Sequence, residues 1–417
     1  MIKQLDQDID YRSGQNWRSA ILVIWIFSGM GIPILQFGAS LIFWMALLFL
    51  MCFKSIIRLP FRVVLLTAIF VGLYFTIFLL KEATVPLFVG AAIVSALLVL
   101  SNYIEGGYKF FYDFSRLCKG FMYLTLFSVP IMIFASSFFI PVKFGYTSFE
   151  TFGGLMWFSP VGGPSLFDGY RYTGIVWEPG IWQIFLNLNL LYALIEKRSN
   201  LQIFLACMAS IICFSTTGFI VLGATIILYM VFSGRNFNFR IILVPSLMGI
   251  IMLPFIIENF SIKVVYDAMG SGTTRIADFF TGAAVLLSNP ILGADVETAV
   301  ASNNDLIAEI KQSFWRGNYY DGAFENYMKV ANSNGYMIFL LDWGLPLGIP
   351  LLLNLFRTNL TPNSRFNIIC ILIILISMSA EAISRTSFFY FFILAAIFIK
   401  KPAKQRNFHT LNKQVSH

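Results

Sequence analysis

A bilayer's hydrocarbon core demands about 20 mostly apolar residues for each helical crossing. This chain supplies such stretches almost without pause. They run at 19–34, 37–53, 61–80, 85–101, 120–140, 180–195, 201–215, 218–233, 239–257, 335–356, 366–379 and 386–399. The run from Ser19 to Phe53 is too long for one ordinary span and is interrupted by Gly29, Gly31 and Pro33, so it reads as two short helices with a turn near Gln36–Phe37. In lipid every backbone polar group must be satisfied within the protein, which leaves helices as the reading of such runs. The spacing therefore predicts an all-α, polytopic integral membrane protein of about 12 transmembrane helices, one membrane domain over residues 1–417. Hydrophobic residues at 58% and charged residues at 12% exclude an ordinary soluble domain. No convincing internal repeat is evident, which weakens inverted-repeat transporter readings.

The basic residues orient these spans. With both termini cytoplasmic, every inner connection carries at least two Lys or Arg, and twenty of the 29 lie inside. Nine lie outside: Lys81, Lys143, Arg171, Lys263, Arg275, Lys311, Arg316, Lys329 and Arg385. The net charge of +8 is thus placed beside apolar runs and forms no basic face, so no nucleic-acid partner is expected. Met1 to Arg18 is polar and no small-residue cleavage site follows the first apolar run, so the first span is expected to stay and act as the signal. The five cysteines avoid the two long outer loops and lack zinc-site spacing, and no disulfide is expected.

The outer loops run over 141–179 and 258–334. The second holds Ile276, Phe279, Phe280, Ala283, Ala284 and Leu287 at helical spacing, closed by Asn289-Pro290 and Gly293, which predicts a short amphipathic helix at the membrane surface. Trp157, Phe158 and Trp177 are expected in an interfacial aromatic belt. Trp315, Tyr319 and Tyr320 sit in polar sequence, where rings that stack on sugars are the better reading.

The segment Gly169–Asn189 takes a polar, aromatic loop directly into an apolar run. Pro179 suits a first helical turn, which puts Glu178 at the helix N-terminus, where the dipole favours a carboxylate. Gln183 and Asn187 are four apart and share a face; with Asn189 they place amides at membrane depth, where polar groups usually face a cavity or another helix. Arg171 and Glu178 read either as an anion-binding guanidinium with a carboxylate that positions or deprotonates a hydroxyl, or as a salt bridge pinning loop to helix. Arg275 reads as a second anion-binding residue or as a local ion pair with Asp278. Arg316 is a third candidate. Ser215-Thr216-Thr217-Gly218 is a tight outer turn. No nucleotide-binding glycine motif, zinc-protease motif or nucleophile elbow is present, and the two histidines, His409 and His417, lie in the cytoplasmic tail. No acidic pair has metal spacing on the outer face, so neither metal nor cofactor is expected.

Arg171-Tyr-Thr-Gly174-Ile-Val-Trp-Glu178-Pro179 resembles the R-x-x-G-x-x-x-E-P element of bacterial oligosaccharide repeat-unit polymerases of the Wzy type, relatives of the O-antigen ligases. Arg275 through Asn289-Pro290-Ile-Leu-Gly293, and Asn334-Gly335-Tyr336 through Gly344-Leu-Pro-Leu-Gly348, resemble that family's large-loop and membrane re-entry elements. The resemblance implies a GT-C-like, metal-independent glycosyltransferase of the bacterial inner membrane. It would polymerise undecaprenyl-pyrophosphate-linked repeat units into O-antigen, capsule or exopolysaccharide at the periplasmic face. It further implies that Arg171 and Arg275 bind the pyrophosphate, and that Glu178 orients the Arg171 loop or acts on the acceptor hydroxyl. Arg316, Trp315, Tyr319, Tyr320, Asn334 and Gln183 would contact substrate. Membrane lipid, a chain-length regulator and a flippase are the partners it suggests. The ligases' histidine near the end of the large loop is missing from Ala331-Asn332-Ser333-Asn334, which favours polymerase over ligase and leaves the base unassigned. A flippase of lipid-linked oligosaccharides is the alternative from another class.

Cysteine labelling checks the orientation. Ser313→Cys is expected to react with an impermeant reagent from outside and Lys404→Cys only after permeabilisation; the reverse pattern inverts the topology.

Overall fold

The computed structural model describes residues 15–30, 39–81, 87–104, 107–144, 147–154, 156–160, 170–176, 178–196, 198–213, 215–233, 254, 257, 271–295, 309–310, 312–313, 334–361, 364–379 and 381–399. Among them are twelve α-helices: α1 Gln15–Met30, α2 Ala39–Ile57, α3 Phe61–Leu80, α4 Leu87–Leu100, α5 Gly107–Phe134, α6 Pro179–Ile195, α7 Asn200–Ile212, α8 Thr216–Ser233, α9 Ser271–Ser288, α10 Gly335–Asn354, α11 Ser364–Met378 and α12 Ser387–Phe398. Eleven of the twelve apolar stretches thus contain a helix. The remaining stretch, 239–257, is described only at 254 and 257, and the expected turn near Gln36–Phe37 falls outside the described residues. Three helices, Phe61–Leu80, Gly107–Phe134 and Gly335–Arg357 (α10 with a terminal 3-10 turn), are long and apolar enough to cross a membrane. Eight more apolar helices are shorter. On α3, Phe61, Ile69, Leu79 and Leu80 remain exposed, the kind of surface that hydrocarbon can cover.

Helix α6 is the axis of the bundle. Every residue from Pro179 to Leu194 is buried, and it packs against α5, α7, α8 and α11. A helix apolar on all sides has no face to offer water, so its neighbours must surround it. Aromatic stacking fixes the rest of the core. Phe110 of α5 stacks on Phe391 of α12 with centroids 4.0 Å apart, and Trp25 of α1 lies 5.3 Å from the same ring. Trp343 of α10 stacks on Phe70 of α3 at 4.6 Å and donates Nε1–H to the Tyr390 hydroxyl of α12 at 3.2 Å. Helix α5 starts 13 residues before its apolar stretch, because the charged turn around Asp113 continues the helix. Asp113 is fully buried there, with Arg18 at 3.3 Å and the Tyr103 hydroxyl as partners. All five cysteines are free and buried.

The first long loop departs from the all-α expectation. It folds into a four-stranded antiparallel meander: β1 Ile140–Phe144, β2 Thr147–Phe152, β3 Met156–Pro160 and β4 Tyr170–Gly174. Gly153 and Gly154, both with positive φ, carry the turn between β2 and β3. Aromatics lie on both faces of these strands, and the sheet spends them on its own packing. Phe158 is fully buried and stacks on Phe139 at 4.4 Å, while Trp157 packs with Phe149 on the other face. The expected belt of Trp157 and Phe158 is therefore corrected: period-two alternation buries these rings inside a sheet instead of leaving them at an interface. Trp177 lies outside the described residues.

The second loop's helix forms as the periodicity predicts. Helix α9 buries Ala277, Thr281, Val285 and Leu286 and exposes Ile276, Phe279, Phe280 and Leu287. The Asn289–Gly293 turn that ends it enters a break in α10. Gly344 interrupts α10 with φ 69° and ψ 167°, and the amide of Leu345 donates to the Pro290 carbonyl at 2.9 Å. The carbonyls freed at the end of the first half-helix are met by Lys81, whose Nζ donates to Leu341 O at 2.7 Å and Asp342 O at 2.8 Å. Ala294 N–H also donates to Leu341 O. Two distant glycine motifs thus interlock, since a Cβ on Gly344 would strike the Ile291 carbonyl and one on Gly293 would strike that of Leu341.

Gly344→Ala is expected to destabilise the protein by about 1–3 kcal/mol, read as a lower melting temperature in detergent. Gly72→Ala on α3, where a Cβ meets nothing, is expected to melt no lower than wild type.

Candidate functional site

Four charged side chains from four separate segments meet near the first turn of α6. Strand β4 carries Arg171. Gly174, with φ 69°, then turns the chain under the Trp182 indole, and Ile175 and Val176 bury themselves before the helix begins. Glu178 is the N-cap residue of α6 and Pro179 follows at N1, as the sequence predicts. The Glu178 side chain makes no capping hydrogen bond, so its carboxylate is not consumed by the helix end. Arg275 comes from α9, and Glu381 from the connection between α11 and α12.

Arg275 makes its ion pair across the fold and not with Asp278 three residues along its own helix. Its Nη2 lies 3.2 Å from Glu381 Oε1, and its Nη1 donates to Thr217 Oγ1 at 2.9 Å. Thr217 belongs to the Ser215–Gly218 turn, which here opens α8. Its hydroxyl also faces the Glu381 carboxylate and favours the charged form of that acid. The Glu381 side chain is 4% exposed and that of Arg275 24%. Arg171 is half-buried, and its Nε is buried with no partner among the described residues.

Two glycines permit this approach. Oε1 of Glu381 occupies the space a Cβ would take on Gly180, in the first turn of α6. There the helix dipole favours the carboxylate. Gly218 is abutted in the same way by the Gln183 amide. Gln183 donates Nε2–H to the Ser210 carbonyl, and its Oε1 lacks a hydrogen-bond partner among the described residues. One turn deeper, on the face the spacing predicts, Asn187 is fully buried with neither amide atom partnered among the described residues. The site therefore continues inward along α6 as a polar track.

Burial is the largest influence on Glu381 and raises its pKa; the nearby Glu178 adds to this, while Arg275, the Thr217 hydroxyl and Arg171 oppose it. Burial lowers the pKa of Arg171, against the pull of Glu178 and Glu381. Formally the two guanidiniums and two carboxylates cancel. Two forked donors beside a proton-hungry acid can hold an anion and accept a proton at one place.

Of the residues singled out from sequence, Arg171, Glu178, Arg275 and Gln183 come together. Asn334 instead serves as N-cap of α10, accepting from the amides of Tyr336 and Met337, and its side chain donates to Ser379 O of the α11–α12 connection at 3.0 Å. Trp315, Arg316, Tyr319 and Tyr320 lie outside the described residues. Glu381 was missed. The available signal was an acid flanked by alanines between two apolar runs, a costly placement unless paired. The same connection carries Arg385, which grips Asp342 of α10 bidentately at 2.8 and 2.6 Å.

Gly180→Ala is expected to push the Glu381 carboxylate off α6 and lower stability by about 1–3 kcal/mol, read as a melting shift. Gly223→Ala, where a Cβ meets nothing, provides the control.

Compared with protein-family models, curated proteins and solved structures, the chain matches none.

Proposed function

We propose that this protein is a membrane glycosyltransferase of the Wzy type, which polymerises undecaprenyl-pyrophosphate-linked oligosaccharide repeat units on the outer face of a bacterial inner membrane. The single observation that carries the reading is the convergence of Arg171 and Arg275, 104 positions apart in sequence, on one partly buried cluster with Glu178 and Glu381. Both arginines fall on loops assigned to the same membrane side by the twelve-span topology with cytoplasmic termini, which belongs to this proposal. The motif resemblance supports the reading from sequence.

In this reading the reaction needs no nucleotide. The bond between the anomeric carbon of the donor glycan and its pyrophosphate oxygen breaks, and the electron pair leaves with the lipid pyrophosphate. Arg171 and Arg275 bind that leaving group and stabilise its developing charge, an effect amplified where water is sparse. Glu178, free of capping duty, orients Arg171. The polar track of Gln183 and Asn187 runs along α6 beyond the cluster.

A deletion strain is expected to display single repeat units and no long glycan ladder. Arg171→Lys and Arg275→Lys, at matched membrane abundance, are expected to lose about 10²–10³-fold in polymerisation rate, since lysine keeps the charge but not the planar fork. Near-normal chain length in both Arg→Ala variants returns these residues to a purely structural salt bridge. Accumulation of lipid-linked units on the cytoplasmic face of the deletion strain identifies a flippase instead.

A further inference from the structure

Among the described residues the buried carboxylate of Glu381 has one close counterion, and that counterion is a residue the polymerase reading gives to the substrate. Arg275 divides its fork between Thr217 and Glu381. An arriving diphosphate competes for the same fork. Once Arg275 turns to the anion, Glu381 stands 4% exposed with its charge uncompensated. Burying an unpaired carboxylate is expensive, and such a group takes up a proton instead. Glu178 differs in that it is half-buried at the mouth of α6 and keeps contact with water.

Resting on the reading above, we propose that Glu381 is the proton acceptor of the reaction: Arg275 pairs with its carboxylate until a lipid diphosphate draws Arg275 away, and it then takes the proton of the acceptor hydroxyl. The balance is complete. The acceptor O–H breaks and its proton goes to a Glu381 carboxylate oxygen. The acceptor oxygen bonds the anomeric carbon, and the old glycosidic electron pair departs with the diphosphate. When the diphosphate leaves, Arg275 re-pairs with Glu381 and the proton passes to water. Among the described residues, the charged groups facing Glu381 are Glu178 from the α6 N-cap, Arg171 from β4 and Arg275 from α9, with the Thr217 hydroxyl of α8. The raised proton affinity of Glu381 accords with this role. It also supplies a base in a chain whose two histidines both lie in the tail.

The sign of the pH dependence follows. A base works when deprotonated, so activity is present above the Glu381 pKa and falls as pH drops through it. Because the bound diphosphate removes Arg275, the acid limb of kcat is expected at higher pH than that of kcat/KM.

The test uses the full chain in nanodiscs with farnesyl diphosphate as a glycan-free probe. Wild type is expected to take up a proton on binding it, with an infrared band of a protonated carboxyl group that is lost in Glu381→Gln and kept in Glu178→Gln. Glu381→Gln is expected to bind the probe at least as tightly as wild type while single-turnover glycan transfer falls about 10²–10⁴-fold and loses its acid limb. A merely structural role weakens binding along with the rate. If Glu381→Gln fails to accumulate, Glu381→Asp retains a carboxylate and is expected to keep the proton uptake and a sloped pH profile at reduced rate; loss of both overturns the proposal. Near-normal transfer in Glu381→Gln, or no proton uptake by wild type, also overturns it. Proton uptake by a wild type that cannot extend lipid-linked repeat units overturns the polymerase reading and the hydroxyl step with it, and leaves only the Arg275–Glu381 exchange.

Discussion

A charge placed in a low-dielectric interior must be answered by another charge or by a proton, and the short α11–α12 connection carries two such charges. Glu381 is answered by Arg275 from the second long loop. Arg385, four residues on, is answered by Asp342 from the middle of α10. These two pairs tie α9 and α10 to the last two helices of the bundle. The same connection accepts a hydrogen bond at Ser379 from Asn334, the residue that caps α10. A segment of eight residues thus fixes three elements, and it can do so because none of its charges is free to turn to solvent.

The broken helix α10 obeys the same accounting for backbone groups. Interrupting a buried helix exposes carbonyls that lipid cannot satisfy. Here the break at Gly344 is met from two sides, by the Lys81 ammonium and by the Pro290–Ala294 turn. Lys81 is held between burial, which lowers its pKa to about 8, and the attraction of Asp342. The break therefore ties the turn that ends α9 to α10. Helix α6 is buried throughout, and Gly180 in its first turn gives the Glu381 carboxylate its seat.

Function in this reading comes from making that neutral cluster unstable toward an anion. Arg275 is paired with Glu381, while Arg171 and Glu178 stand close enough to act on them electrostatically. A diphosphate offers the same guanidiniums a denser negative charge, and the most deeply buried acid is left to find a proton. The arrangement that holds the structure together and the one that would move a proton are then the same set of bonds in two states.

Much of this was legible in the chain. Apolar runs of the required length specify the helices one by one, because a helix satisfies its own backbone and each run can be read locally. Local chemistry also placed Pro179 at the start of α6, Glu178 at its N-cap, Gln183 and Asn187 on one face and Gly293 at the stop of α9. Strands β1–β4 were hidden, because their aromatics are equally at home in a loop at an interface until a partner strand supplies the ladder. Arg275 seemed as well served by Asp278 three residues away as by any distant acid, and Glu381 carried no motif at all. Which carboxylate a guanidinium meets depends on how helices and loops pack across more than a hundred residues. That choice is set by burial and close approach at Gly180 and Gly218, quantities that exist only once the chain has folded.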